Sequence, residues 1–393
     1  MTNKFCSYLS NGYSFSIYPH SDNVHIKPCA VYRDDTPGTS VILDENLLEN
    51  RKLVFESITD WTPQCRLCKA LEDIGQQSLR QTGTHWIKEN ETQDPISIDI
   101  NLDIECNAAC IICDENHSSL WGKEKKKINI VSDVNNIKPD KALKAIELIT
   151  KHCKFDKLTY IKFFGGEPLF TNTHVEFLKH VPNPENVILH YTTNGSIYPS
   201  KETLAVWKQF NTVIYAASID GVGDQFDYLR WPLRWKQVAS NLLRIKNNRQ
   251  IWNVMFRIEY TANFLNAYYF DELELWVKEN LATNAAGDPT DVNLHLCHNV
   301  WNFNLMPMGL RQAILEKYPT ARATTQFGGQ HEIRSLFEKL KDEVSALDFV
   351  KSNTNLIVKY SYGKGNWAET SWLAILDKRE TTTTQKGTYV VIL

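Results

Sequence analysis

Residues 96–117 read ISIDINLDIECNAACIICDENH. The first seven, rich in β-branched apolar residues and alternating with polar ones, have the pattern of a strand. Three cysteines, Cys106, Cys110 and Cys113, then fall within eight positions. In a βα repeat, the loop after a strand's carboxyl end is where ligands sit. Three thiols are one short of the four that close a structural zinc site or saturate a four-iron cluster. The run is therefore either half of a zinc site or a set that leaves one metal position open to a ligand from outside the chain.

Working outward, strand-like runs recur at LTYIKFF (158–164), NVILHYT (186–192), TVIYAAS (212–218), VMFRIEYT (254–261) and VNLHLCH (292–298). Between them lie PDKALKAIELITKH (139–152), THVEFLKHV (173–181), KETLAVWKQF (201–210), WKQVASNLLRIKN (235–247) and YYFDELELWVKEN (268–280), with apolar residues three and four apart as on one face of a helix. Strand alternating with helix predicts a mainly parallel sheet with helices packed outside it, an α/β fold of (β/α)6 type. Before it, SFSIYPHSDNVHIKPCA (14–30) alternates on both sides of a turn and predicts a β-hairpin that brings Cys6 and Cys29 together. DWTPQCRLCKALEDIG (60–75) adds Cys65 and Cys68 just before a short helix. After the polar connector ARATTQFGGQ (321–330) come a helix, HEIRSLFEKLKDEVSAL, and strand-like runs ending in TYVVIL, a small α+β appendage. The expected partition is 1–92, 93–322 and 323–393.

The 393 residues carry a formal net charge of −3, with 42% hydrophobic and 23% charged residues, the balance of a protein able to bury a core. No global basic field points to nucleic acid. The opening MTNKFCSYLSNGYS lacks the features of a signal peptide, and no run approaches membrane-spanning length. We expect a cytoplasmic protein without a membrane partner. Nine cysteines in a reducing compartment point to metal or redox chemistry rather than disulfides.

The spacing CxxxCxxC at Cys106, Cys110 and Cys113 resembles the signature of the radical S-adenosylmethionine (SAM) superfamily, with Ile112 where members often carry an aromatic residue. Gly165-Gly166-Glu167-Pro168, closing the second strand, resembles the family's GGEP motif. Thr192-Thr193-Asn194-Gly195-Ser196 and Ser218-Ile219-Asp220-Gly221, with FDYLRWP carrying Arg230, resemble its later strand ends. The likeness covers roughly residues 96–310. It implies a partial (β/α)6 radical SAM barrel and a 4Fe-4S cluster on the three cysteines, with SAM at the open iron. It also implies SAM contacts from Gly165, Gly166, Glu167, Pro168, Asn194, Ser218, Asp220 and Arg230. The plainer alternatives are a turn for the glycine pair, an Asx-turn for Asp220 and a surface ion pair for Arg230.

Cys6, Cys29, Cys65 and Cys68 form a complete four-thiolate set that accepts either zinc or a second cluster. The hairpin followed by CRLCKALEDIGQQSLR resembles the auxiliary-cluster region of Twitch and SPASM proteins. It implies an auxiliary 4Fe-4S cluster serving electron transfer or stapling. Cys153 is expected in the core, and Cys297 in the sixth strand, near His298, Asn299 and Trp301. The KEKKK run (123–127) reads as a solvated loop face, with guidance of an acidic peptide or phosphate at the active-site mouth as the alternative. SYGKGNWAETSWLAILD with QKGTYVVIL resembles part of the N-terminal recognition domain of McrB-type restriction enzymes through Gly363, Gly365, Trp367, Ala368, Trp372 and Asp377, with Ser371 in place of a frequent Pro. A strand flush with the terminus would leave that domain incomplete or pair with the hairpin.

Together the resemblances imply a radical SAM enzyme acting on a peptide or small molecule, fed by a flavodoxin- or ferredoxin-type donor. Modification of a nucleotide, nucleic acid or sugar, and a non-catalytic zinc or iron–sulfur module, are the alternatives.

Overall fold

The strands alternate side chains between two faces, and that alternation sorts the molecule. In a computed structural model of the chain, the described residues are 6–17, 23–29, 32, 41–42, 58–73, 75, 78–81, 94–130, 139–281, 290–297, 308–317, 332–364, 366–379 and 389–392. The connector 321–330 and residues His298, Asn299 and Trp301 lie outside them.

Strands β1 (Gly12–Ile17), β2 (Val24–Lys27), β3 (Val41–Ile42), β4 (Ser97–Asn101), β5 (Tyr160–Phe163), β6 (Ile188–Thr193), β7 (Thr212–Ser218), β8 (Val254–Ala262) and β9 (Asp291–Leu296) form one sheet in the order β3-β2-β1-β4-β5-β6-β7-β8-β9. Pairing from β4 through β8 is parallel. This is the expected α/β sheet of a partial (β/α)6 barrel. The hairpin of β1 and β2 forms as expected, with Ser14 opposite Lys27 and Ile17 opposite Val24. β1 also pairs in parallel with β4, Gly12 opposite Ser97.

Helices α1 (Ser7–Asn11), α2 (Arg66–Asp73), α3 (Ser119–Lys127), α4 (Pro139–His152), α5 (Thr173–Leu178), α6 (Lys201–Trp207), α7 (Gly223–Leu229), α8 (Trp235–Trp252) and α9 (Phe270–Asn280) belong to the same compact unit, residues 1–261 with 270–295. KEKKK is thus the end of α3, not a loop, and its lysines favour a helix C-terminus through the macrodipole. One face of the sheet is apolar: Ile98, Ile161, Leu189, Val213, Tyr215 and Ile258 are all fully buried. Across it the rings of Phe163, Tyr191, Trp207, Tyr215 and Phe256 follow one another at centroid distances of 5.0, 5.3, 6.3 and 5.8 Å. Strands buried on both faces read as continuous apolar runs. Here β8 instead alternates buried and half-buried residues, and its other face carries Arg257 and Glu259.

The second unit comprises residues 262–269 and 296–393. In it α10 (Met308–Lys317) packs Ile314 on Ala267 and Phe264, and Lys317 Nζ donates to Tyr268 O at 2.8 Å. Helices α11 (Glu332–Ala346) and α12 (Asp348–Lys351) accompany a sheet of β10 (Leu356–Lys364), β11 (Asn366–Asp377) and β12 (Tyr389–Ile392). Val344, Val350 and Val358 form its core. The terminal strand pairs antiparallel with β11, Leu376 opposite Tyr389, and not with the hairpin.

His174 is 2% exposed between the rings of Phe163 and Tyr191, and burial holds its pKa down at about 4. His190, which shares a 2.6 Å hydrogen bond with Tyr160, is shifted the same way by burial. A histidine depressed in the folded state stabilises fully above its unfolded pKa of about 6.5, and that stability is lost as pH falls toward the folded value. For His174 the loss is roughly 3 kcal/mol across this window. Urea unfolding should show stability falling from about pH 6.5 to about pH 4, with a visibly shallower slope in His174→Phe.

Candidate functional site

The cysteine loop is clamped by its neighbours. Asp103, after β4, accepts Glu105 N at 3.0 Å and the hydroxyls of Thr171 and Thr173 at 3.2 and 3.3 Å. The start of α3 closes one side: Ser119 Oγ accepts Cys106 N at 3.2 Å, Ser118 Oγ donates to Ala108 O at 2.5 Å, and Trp121 Nε1 donates to Cys110 O at 2.9 Å. The segment after α7 closes the other, where Ala109 N and Ile111 N donate to Trp231 O and Leu229 O at 2.7 and 2.9 Å.

The glycine pair is required by packing against this loop. Gly166 N donates to Asp103 O and Glu167 N to Glu105 O, at 3.3 and 2.7 Å. A Cβ on Gly166 would lie 2.3 Å from Glu105 O, and one on Gly165, whose φ is +125°, would lie 2.2 Å from Asn101 Oδ1. Glu167, 1% exposed, accepts Leu169 N at 3.1 Å, Thr193 Oγ1 at 2.8 Å and Asn194 N at 2.6 Å. Burial raises its pKa, opposed by those hydrogen bonds. Pro168 is half-buried beside it, and Ser218 closes β7, also half-buried. Asn194 Nδ2 donates to Asn107 Oδ1 at 2.9 Å, and Asn107 Nδ2 to Ser196 Oγ at 2.8 Å. Asn107, Ser118, Ser119 and Trp121 carry no signal of their own in the sequence beyond adjacency to the cysteines.

Asp220 reaches across to β8, where its Oδ1 accepts Thr261 N at 2.9 Å. Arg230 is not on the surface. Its Nη2 lies 2.7 Å from Asp220 Oδ2, with the side chains 8% and 2% exposed, and its Nη1 lies 3.9 Å from Cys110 Sγ. Burial raises all three thiols, Cys106 and Cys113 to about 12. Metal uptake by such thiols would release protons, because the ligand is the thiolate. Donor chemistry and a buried cation against Cys110 fit a negatively charged three-thiolate cluster.

Cys6, Cys29, Cys65 and Cys68 line one pocket with Tyr8, Trp61 and Arg80. Burial raises Cys6 to about 11 and raises Cys68, which Arg80 N–H and the Ser78 hydroxyl ease. Arg80 sits 5.1 Å over Trp61 and pairs with Glu72, whose Oε1 accepts Arg80 Nε at 2.9 Å and Ser78 Oγ at 2.5 Å. Four thiols in one pocket are the donor chemistry that zinc and a four-iron cluster both accept. No disulfide joins any of the nine cysteines, and among the described residues no group of three or more His, Cys, Asp or Glu is drawn together around a single ion position. Cys153 is buried directly after α4, and Cys297 is buried directly after β9 rather than within it. His117 pairs with Asp114 at 2.8 Å.

No curated protein matches the chain. Residues 313–393 match the model of the MrcB-like, N-terminal domain. The match begins inside α10, ten residues before the boundary expected from sequence. Among solved structures, the chain is similar to native anSMEcpe with bound AdoMet at 16% identity and a TM-score of 0.39, over 58% of this chain and 60% of that one. It is also similar to anSMEcpe with AdoMet and the Cp18Cys peptide (16%, TM-score 0.38, 56% and 58%). Streptococcus suis SuiB bound to the precursor peptide SuiA gives 14%, a TM-score of 0.37, and 79% and 70%. The chain thus spans about 60% of the length of the first of these. No helix among the described residues is long and apolar enough to cross a membrane.

Asp220→Ala strands a buried guanidinium and should cost about 3–5 kcal/mol in chemical unfolding, whereas Asp220→Ala with Arg230→Met should cost much less than the two singles added. Gly166→Ala, which drives a methyl into backbone, should cost about 1–3 kcal/mol in the same assay.

Proposed function

We propose that the chain is a radical SAM enzyme whose three-cysteine loop after β4 holds the reactive 4Fe-4S cluster. The observation that carries this reading is the loop itself: Cys106, Cys110 and Cys113 are held at a strand's carboxyl end, with the glycine pair in backbone contact and the Arg230 cation on Cys110. A cluster held by Cys106, Cys110 and Cys113 would supply the electron for reductive cleavage of SAM and hydrogen-atom abstraction from the substrate.

The chain's own residues bind and orient. Gly165 and Gly166 keep the loop after β5 close enough for backbone to approach a ligand. Asn194, Ser218 and Asp220 stand at the next strand ends, and Glu167 and Pro168 fix the turn. Arg230 offsets thiolate charge and, with Asp220, belongs to the SAM-facing set. On this reading residues 93–322 form the catalytic barrel and 1–92 the auxiliary module, where Cys6, Cys29, Cys65 and Cys68 hold a second 4Fe-4S cluster, or zinc. Its work is electron transfer or stapling. Nine thiols suit a reducing, cytoplasmic setting with a flavodoxin- or ferredoxin-type donor. The cysteine modules' likeness to Twitch and SPASM proteins makes a peptide the first substrate class.

The MrcB-like match at 313–393 supports a second reading, modification of a nucleotide or nucleic acid, with 323–393 as a recognition appendage.

Anaerobic reconstitution should give about eight irons per chain, two four-iron clusters, and release 5′-deoxyadenosine from SAM under reduction. Cys106→Ala, Cys110→Ala and Cys113→Ala should each abolish cleavage while Cys65→Ala retains it. Two zinc ions per chain and no cleavage would sink the proposal.

A further inference from the structure

The sheet has a polar face opposite its aromatic row. Helices α5 and α6 lay His174 and Trp207 against that row, so the other face of the same strands carries the residues in alternate register. Asp99, Lys162, His190 and Ile214 stand side by side in one cross-strand row, and Thr192, Ala216 and Arg257 in the next. Charge that is partly desolvated is unfavourable unless it is paired. Glu259 is paired: Asn293 Nδ2 donates to its Oε1 at 3.1 Å, and His295 holds its Oε2. Lys162 and Arg257 are not. Both are half-buried, and neither has an ion-pair partner among the described residues, although Asp99 stands beside Lys162 in register and Glu259 follows Arg257 on the same face of β8.

His190 lies with them. It is 4% exposed, its Nδ1 is taken up by the Tyr160 hydroxyl at 2.6 Å, and its Nε2 is buried without a hydrogen-bond partner. Burial first, then the charges of Lys162 and Arg257, hold its pKa well below the usual histidine range, so both cations act on one neutral imidazole. With Nδ1 accepting the Tyr160 proton, Nε2 carries the hydrogen and is a free donor. Between the cations the face is floored by Ile214 and the small Ala216. Two unpaired cations around an orphaned donor are the makings of an anion site.

This face runs up to the strand ends assigned above to SAM. Ser218 is opposite Glu259, so Arg257 lies two residues deeper, about 7 Å by strand rise. From these observations, which rest on the peptide reading above for the source of the ligand, we infer that Lys162, His190 and Arg257 bind a carboxylate of the peptide substrate beneath those strand ends. Arg257 offers a planar fork matched to two carboxylate oxygens, Lys162 a point charge, and His190 a neutral donor. A carboxylate suits the face better than a phosphate monoester, which brings nearly two charges toward Asp99 and Glu259.

The test is calorimetric binding to the full chain as purified, without SAM or reductant. The probes are three pentapeptides with alanine at the four outer positions: one with a central glutamate and both ends blocked, its glutamine counterpart, and the glutamine peptide with a free carboxyl terminus. One of the two carboxylate-bearing peptides should bind about tenfold or more tighter than the blocked glutamine peptide, and which one does so identifies a side-chain or a terminal carboxylate. Lys162→Gln and Arg257→Gln should each remove about tenfold of that preference, and Arg257→Lys should retain part of it. Unchanged thermal unfolding of the variants separates this loss from a loss of fold. Equal or undetectable binding of all three peptides, a preference that survives Lys162→Gln/Arg257→Gln, or displacement by inorganic phosphate at lower concentration than by acetate overturns the inference. Each of these leaves SAM cleavage untouched, and a chain that binds the carboxylate but cleaves no SAM overturns the radical SAM reading alone.

Discussion

The carboxylate of Glu167 ties the ends of three strands together. Its own backbone N–H bonds to the segment after β4, its chain belongs to the turn after β5, and its oxygens take the Thr193 hydroxyl and the Asn194 N–H at the end of β6. A buried carboxylate raised toward neutrality by desolvation survives only where donors surround it. Those donors are backbone and hydroxyl groups at neighbouring strand ends, so satisfying the charge and aligning the loops are the same event. The close approach that Gly165 and Gly166 permit is what lets the turn reach the cysteine loop at all.

Charge is distributed around the thiols with the same economy. Arg230 reaches Cys110 from the segment after α7, and Asp220 at the end of β7 holds it there. Arg80 stands at the amino-terminal thiols in the grip of Glu72 and the Trp61 ring. In both places a guanidinium, always charged and planar, has its plane fixed by a carboxylate, Arg230 against Cys110 and Arg80 in the lining of the other thiol pocket. Each cysteine group therefore comes with its own fixed countercharge.

Periodicity alone made much of this fold legible. TVIYAAS and PDKALKAIELITKH coincide with β7 and α4 residue for residue, because each is a full-length element with one buried face. LTYIKFF shrinks to Tyr160–Phe163 because its ends bend into turns that its own alternation does not encode. KEKKK looked like a loop because it has no apolar face to bury; the chain is helical there through anchors at Ser119 and Trp121. The hairpin was readable from its turn residues, but its attachment to β4 was not, since a strand's pattern says which face is buried and not which neighbour it pairs with. The site divides the same way. Cysteines and glycines announced themselves by spacing, whereas the Asp220–Arg230 pairing and the Asn107 link to Asn194 and Ser196 exist only once strand ends are side by side.

Consider finally the order in which this sheet can be assembled. The partners Gly12 and Ser97 are 85 positions apart, so β1 cannot find its place until the chain as far as β4 exists. Closing so long a loop is entropically unfavourable and slow, and sequence-distant strand pairing is the late, rate-limiting kind of contact. Within this sheet β1 is thus among the last strands to dock. The pocket shared by Cys6, Cys29, Cys65 and Cys68 straddles that closure, with Cys6 before β1 and Cys65 and Cys68 in the crossover to β4. Whatever those thiols take up is captured with that closure and pins β1 beside β4.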